Sequence, residues 1–267
     1  MHLKRLIVAI VLLPALYFYI MFLPPGYFFF LIVLISTAAL SEFYSMYRVS
    51  GILRYAGLFF GISVLGISYI SRAYLLDVIV AAIMAAMVIR LLFRRDPVSS
   101  LSDIAPVVVG LIYISVLFSF QVEIRKFGAE WIVFLYGTVW ASDSLAYYLG
   151  KGIGKRKLYI EVSPNKTVAG AAGSLIGGTA GALILKAAIV PQLAAESAAV
   201  IGIMVGIISI IGDLVESMFK RDAGVKDSGR LIPGHGGMLD KVDGALFAGP
   251  LLYWILKFIY VKQGTGL

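Results

Sequence analysis

The sequence predicts an all-α integral membrane protein that crosses the bilayer about nine times. Of its 267 residues, 60% are hydrophobic and 14% are charged, whereas soluble proteins carry about 25% charged residues. Its mean hydropathy is +0.94. Nine runs also have the roughly 20 mostly apolar residues that a helical span needs. They lie at approximately 6–23, 27–47, 52–70, 75–93, 105–122, 130–149, 168–190, 197–219 and 244–262.

These runs are continuous rather than alternating, which argues against the strands of a β-barrel. The first run follows Lys4 and Arg5 as in a signal peptide, but it is too long and lacks a small-residue cleavage site. We therefore interpret it as the first span. The predicted division places four spans in residues 1–104 and five spans, with the active site, in residues 105–267.

The distribution of Lys and Arg predicts the orientation. With the N-terminus in the cytoplasm, 16 of the 23 basic residues fall on the inner side and 4 on the outer side. This asymmetry predicts a cytoplasmic N-terminus in the cell membrane, with the longer polar loops facing the cytoplasm. The net charge of +8 then reflects loops that face anionic lipid, not a nucleic-acid partner. Because the chain has no cysteine, disulfides and cysteine-ligated metals are excluded.

Small residues mark the seventh predicted span. Gly173, Gly177 and Gly181 follow one another at GxxxG spacing, which lets helices approach closely. Packing within the chain is the favoured interpretation, and a homodimer stays open as the alternative.

Carboxylates occur at the inner ends of three late spans. Asp143 lies in span 6, Asp213 and Glu216 lie in span 8, and Asp240 and Asp243 lie at the start of span 9. A charge within a span is costly, so each needs a partner or a function. Spacings of three place both members of each pair on one helix face. Together Asp143, Asp213, Asp240 and Asp243 are typical ligands of a hard cation such as Mg²⁺, with a second cation possible.

Two other titratable residues, Glu42 and His235, are not predicted to bind a metal ion. Glu42 in span 2 is best explained by an ion pair with Arg48 or Arg54. His235 is the only histidine besides His2, so a histidine-rich zinc site is not expected.

Two inner loops, 150–167 and 220–243, combine glycines with lysines and arginines. Glycine lets a backbone approach phosphate closely, and the cations neutralise its charge. Neither loop contains the GxxxxGK[ST] pattern of a P-loop. Together with the neighbouring carboxylates, the two loops predict a Mg²⁺–polyphosphate site at the membrane surface.

The segment from Ser217 to Asp243 resembles the signature of the phosphatidate cytidylyltransferases, also called CDP-diacylglycerol synthases. That pattern is Ser-x-x-Lys-Arg-x4-Lys-Asp, a short spacer, Pro-Gly-His-Gly-Gly and Asp-Arg-x-Asp, and every position matches except Lys241, where the family has arginine. The substitution keeps the positive charge but loses the bidentate fork of arginine. Upstream, Asp143-x-x-Ala-Tyr-x-x-Gly150 and Ser163-Pro-x-Lys-Thr167 are also similar to the family.

The resemblance implies cytidylyl transfer from CTP to phosphatidate, giving CDP-diacylglycerol and pyrophosphate. It implies catalytic roles for Arg221, Lys226, Asp227 and His235; His235 either donates to phosphate or fixes the loop. It also implies cation binding by Asp213, Asp240 and Asp243, with Asp143 as a possible fourth ligand. The residues that it implies for substrate binding are Lys166, Lys220, Arg230, Gly234, Gly236, Gly237, Ser217 and Lys241; Ser217 is also compatible with helix packing alone.

Two other functions are compatible with parts of this pattern. A CTP-dependent lipid kinase would share the topology and the nucleotide but release CDP instead of pyrophosphate. A transporter would use the intramembrane acids as an ion path, which predicts acids nearer the bilayer centre and on both sides. Here all of them lie toward one side, so an enzyme is favoured.

Overall fold

The computed structural model describes residues 14–94, 96–231 and 236–262, which form a helical bundle with one small hairpin. A 3-10 turn at Arg72–Tyr74 precedes the fourth helix, and a π-helical segment at Leu111–Val116 joins the fifth to the sixth. The helices are α1 (14–22), α2 (Pro25–Met46), α3 (Gly51–Ile70), α4 (Leu75–Phe93), α5 (Ser100–Gly110), α6 (Leu117–Phe127), α7 (Ala129–Ile153), α8 (Val168–Ile189), α9 (Ala195–Asp222) and α10 (Leu239–Lys262).

Seven helical segments of the described chain are long and apolar enough to cross a membrane, so the protein is a multi-pass membrane protein. They are Pro25–Met46, Gly51–Ile70, Arg72–Phe93, Ser100–Phe127, Val168–Ile189, Ala195–Asp222 and Leu239–Tyr260. The predicted count of nine is not confirmed. Residues 6–13 of the first predicted span lie outside the described residues. Helix α7 has the length of a span but is less apolar, because it carries Asp143 and many polar side chains.

The glycines of α8 pack against the two neighbouring helices. A Cβ atom at Gly177 would lie 2.5 Å from the carbonyl oxygen of Ala141 in α7, and one at Gly202 in α9 would lie 2.5 Å from the carbonyl oxygen of Gly178. Helix backbones can come this close only where side chains are absent. The interpretation of the glycine motif as packing within the chain is therefore confirmed.

A hairpin occupies part of the segment that the sequence predicted as a loop. Strands β1 (Lys157–Tyr159) and β2 (Ser163–Thr167) pair antiparallel, with Lys157 opposite Thr167 and Tyr159 opposite Ser163. The Thr167 hydroxyl then accepts a hydrogen bond of 3.0 Å from the backbone N–H of Gly170 and caps α8. The hairpin thus joins the C-terminal end of α7 to the N-terminal end of α8.

The main hydrophobic core lies where α2, α6, α7 and α10 meet. Fully buried side chains from all four helices fill it, among them Phe43, Phe118, Phe134 and Leu252. This core fixes α10 against the first half of the chain as well as against its sequence neighbours.

Candidate active site

Three carboxylates from α9 and α10 meet at one point. One oxygen each of Asp213, Glu216 and Asp243 lie within 4.8 Å of one another. Asp213 and Glu216 share a face of α9 because they are three residues apart. Gly212 lets α10 approach, since a Cβ atom there would lie 2.6 Å from the carbonyl oxygen of Asp243. We call these three residues the carboxylate cluster.

Neighbouring polar groups contact Asp213 of the cluster and a further acid, Asp143. Lys166 of β2 forms an ion pair with Asp213. The Ser217 hydroxyl donates to Asp213 Oδ1 at 3.3 Å, one helical turn away. Asp143 of α7 accepts a hydrogen bond of 2.9 Å from the Ser209 hydroxyl, which brings it beside the cluster. Lys166, Asp143 and Asp213 therefore lie close together around one cavity.

Lys220 and Asp240 are bonded to each other and to further protein groups. The Lys220 ammonium donates to Glu216 Oε2 at 2.5 Å and to Asp240 Oδ1 at 2.7 Å, and its side chain is only 11% exposed. The other oxygen of Asp240, Oδ2, accepts from the backbone N–H and hydroxyl of Ser228 and from the backbone N–H of Gly237, at 2.8–3.1 Å. Lys220 thus bridges two acids, and Asp240 anchors the loop instead of joining the cluster.

A cavity of about 710 Å³ lies over the cluster. Its lining combines the acids with cations and hydroxyls from the C-terminal end of α7, the hairpin and the start of α8. The polar lining residues are Asp143, Tyr147, Lys151, Lys157, Ser163, Asn165, Lys166, Thr167, Ser174, Ser209, Asp213, Glu216, Lys220, Asp240 and Asp243.

Several predicted residues lie away from this cavity. Arg221, Lys226, Asp227, Arg230 and Lys241 are exposed, and none of them lines it. Arg221 instead donates to the carbonyl oxygens of Val162 in the hairpin and Val225, both at 3.3 Å. Gly234 and His235 lie outside the described residues.

Two glycines of the second loop, Gly236 and Gly237, accommodate carboxylates. Gly236 has a φ of +86°, and a Cβ atom there would lie 2.8 Å from Asp240 Oδ2. Gly237 is buried against Ser228 and Glu42, and its N–H is bound by Asp240. The close approach that these glycines permit is to the protein's own acids.

The prediction that Glu42 forms an ion pair with Arg48 or Arg54 is wrong. Its carboxylate accepts from the Ser228 hydroxyl and from the backbone N–H groups of Met238 and Leu239, at 2.9–3.1 Å. Arg54 donates instead to Ser41 and Ser45. Sequence reasoning missed Glu42 because nothing in the local pattern indicates a contact nearly 200 positions away.

The cluster suits a hard, oxygen-liganded cation. Three acids lie within 4.8 Å of one another, and Lys166 and Lys220 pair with only two of them, so net negative charge remains. Glu216 is 1% exposed, and its Oε1 has no hydrogen-bond partner among the described residues. A buried carboxylate oxygen in that position is expected to have a ligand. The residues present therefore fit a divalent cation such as Mg²⁺.

Together, the bundle and its site define a multi-pass membrane protein with a cavity lined by carboxylates and lysines. The chain belongs to the cytidylyltransferase family, whose family model matches residues 3–259.

Curated relatives of this chain include three bacterial proteins named phosphatidate cytidylyltransferase. The one from Bacillus subtilis strain 168 is 39% identical over 163 residues, which cover 58% of each chain. The one from Staphylococcus saprophyticus is 40% identical over 157 residues, covering 59% of this chain and 60% of that one. The one from Brucella abortus strain 9-941 is 47% identical over 129 residues, covering 48% and 47%. The matched part thus spans less than two thirds of each relative.

Proposed function

We propose that this protein transfers a cytidylyl group from CTP to phosphatidate, giving CDP-diacylglycerol and pyrophosphate for phospholipid synthesis. The observation that supports this most is the position of the carboxylate cluster beneath a lysine-lined cavity, in a member of the cytidylyltransferase family. The names of the three relatives agree with the proposal.

The proposed reaction is a displacement at phosphorus. An oxygen of the phosphatidate phosphate forms a bond to the α-phosphorus of CTP, and the bond from that phosphorus to the β-phosphate oxygen breaks. The electron pair leaves with pyrophosphate. Since the attacking phosphate is already anionic, no general base is obligatory. The main difficulty is bringing two polyanions together, which requires positioning and charge neutralisation.

In this proposal the acids of the cavity bind the cation and its lysines bind the phosphates. Asp213, Glu216 and Asp243 would hold Mg²⁺, with Asp143 beside them, and a second cation is compatible with four acids. The cation supplies charge neutralisation for the phosphates when bound. Lys166, Lys151 and Lys157 line the same cavity and would bind phosphate oxygens.

Lys220 has a supporting role in this proposal. It is bonded to Glu216 and Asp240, so we assign it to positioning these two acids and not to binding phosphate. Lys166 is now paired with Asp213, and it can exchange that partner for a phosphate when nucleotide enters.

The finer topology belongs to the proposal as well: nine spans, a cytoplasmic N-terminus and a cavity open to the cytoplasm. The cysteine-free chain allows single-cysteine labelling in intact cells. A cysteine in place of exposed Lys155 should resist an impermeant maleimide, whereas one in place of Ala73 should react. The opposite labelling pattern would show that the N-terminus lies outside the cell. A homodimer also stays a proposal, to be tested by the mass of the purified protein in detergent.

Product identity distinguishes this reaction from that of a lipid kinase. Purified protein is incubated with CTP labelled at the α-phosphate, phosphatidate and Mg²⁺. We expect the label in a lipid product, together with one pyrophosphate for each lipid formed. Release of labelled CDP would indicate a kinase, and no lipid-dependent product would refute the proposed function.

A further inference from the structure

Glu42 of α2 holds the start of α10 from a distant part of the chain. Its Oε1 accepts from the backbone N–H of Met238 at 2.9 Å, and its Oε2 accepts from the backbone N–H of Leu239 at 3.0 Å. Oε2 also accepts from the Ser228 hydroxyl at 3.1 Å. One half-buried carboxylate thus binds both ends of the segment between Ser228 and Leu239.

A negative charge suits this place for a physical reason. The first N–H groups of a helix have no partner within it, and the helix dipole makes that end positive. Asp240 binds the N–H of Gly237, and Glu42 binds the next two. Two carboxylates therefore bind three successive N–H groups at the start of α10.

The loop is built to admit this carboxylate. A Cβ atom at Gly229 would lie 2.5 Å from Glu42 Oε1 and 2.6 Å from Glu42 Cδ. Gly237 likewise has the Glu42 carboxylate against its Cα, so any larger residue there would displace it. Both glycines therefore leave room for Glu42.

The contacts of Glu42 continue into the carboxylate cluster. Leu239 precedes Asp240, which shares Lys220 with Glu216, and Asp243 lies one turn further along α10. A shift in the start of α10 would therefore move Asp243 relative to Asp213 and Glu216 on α9. A second contact ties α2 to α9, since the Tyr47 hydroxyl donates to Asp222 at 2.9 Å.

We infer that Glu42 is a positioning residue for the active site: it fixes the first turn of α10 and thereby the distance between Asp243 and the acids of α9. Its effect on turnover rests on the proposed function, whereas its effect on α10 does not. The first group of helices thereby contributes to a site whose ligands all come from the second.

The test compares Glu42→Gln, Glu42→Asp and a matched control, Glu123→Gln. Glu123 is a buried carboxylate in α6 that accepts from Ser68 and Lys126 and does not line the cavity. Hydrogen exchange is measured by mass spectrometry for peptides that contain Met238 and Leu239, and Mn²⁺ affinity by electron paramagnetic resonance. Neither measurement needs turnover.

In Glu42→Gln we expect exchange at Met238 and Leu239 to rise about 10-fold and Mn²⁺ affinity to fall about 10-fold. Glu42→Asp should recover part of both. The control should change neither measurement, even if it lowers the melting temperature. Unchanged exchange in Glu42→Gln would overturn the inference, and so would faster exchange with unchanged Mn²⁺ affinity, because Glu42 would then be purely structural. If wild-type protein makes no CDP-diacylglycerol, the proposed function fails while the exchange result still decides the role of Glu42 in α10.

Discussion

The charged residues of the segment from Ser217 to Asp243 occupy two different environments. Its acids at 240 and 243 face the interior, where they contact Lys220, Ser228 and the acids of α9. Its cations at 221, 226, 230 and 241 are exposed and do not line the cavity. The cations that do line it come mostly from the hairpin and the end of α7. The residues that make a sequence motif recognisable are therefore not the same set as those that meet in space.

The largest expected effect comes from the carboxylate cluster. Asp213→Asn removes one negative charge where three acids converge, so the site should lose its cation. We expect turnover to fall by at least about 10³-fold. Melting temperature and size-exclusion profile, measured on the same preparation, should stay near those of wild type. Activity within 10-fold of wild type would remove Asp213 from the proposed ligands.

Next in size is the contrast between two lysines. Lys166 lines the cavity and contacts Asp213, whereas Lys226 is exposed. We expect Lys166→Gln to lower kcat/KM for CTP about 10²-fold. Lys226→Gln, the matched control, should change it less than about 3-fold, because an exposed charge is well screened. Steady-state kinetics over a range of CTP concentrations measures both; equal effects would contradict the contrast.

A smaller effect is expected at Gly237. A Cβ atom there would lie 2.7 Å from the backbone nitrogen of Gly229 and would also meet the Glu42 carboxylate. Gly237→Ala should therefore lower turnover about 10-fold through displacement of the start of α10. Gly66→Ala is the control, since a Cβ atom there meets nothing within 4 Å. Lipid product formation is compared in both variants, and equal activities would show that Gly237 is not sterically restricted.

The smallest effect is expected at Lys241. Its side chain is exposed in the first turn of α10, and it lines no part of the cavity. Lys241→Arg, which restores the residue of the family pattern, should change kcat/KM less than about 3-fold. A gain of 10-fold or more, measured in the same assay, would place this position in contact with substrate.

Sequence patterns predicted most of the helices and part of the site. Hydropathy located the apolar helices, and the spacing of Asp213 and Glu216 indicated a shared face that the structure bears out. Two other features were not predictable. The three- and five-residue strands of the hairpin carry no distinctive alternation, and Glu42 and Ser228 meet only because α2 packs beside α10. Asp240 looked equivalent to Asp243 in the sequence, but Lys220 and the loop occupy its two oxygens.

In the proposed function, the cluster formed by α9 and α10 supports cation-dependent cytidylyl transfer. The most direct test measures pyrophosphate release from CTP and phosphatidate as a function of Mg²⁺, in wild type and in Asp243→Asn. We expect saturable, Mg²⁺-dependent release in wild type and almost none in a folded Asp243→Asn variant. Release from Asp243→Asn at the wild-type rate and with the same Mg²⁺ dependence would contradict it.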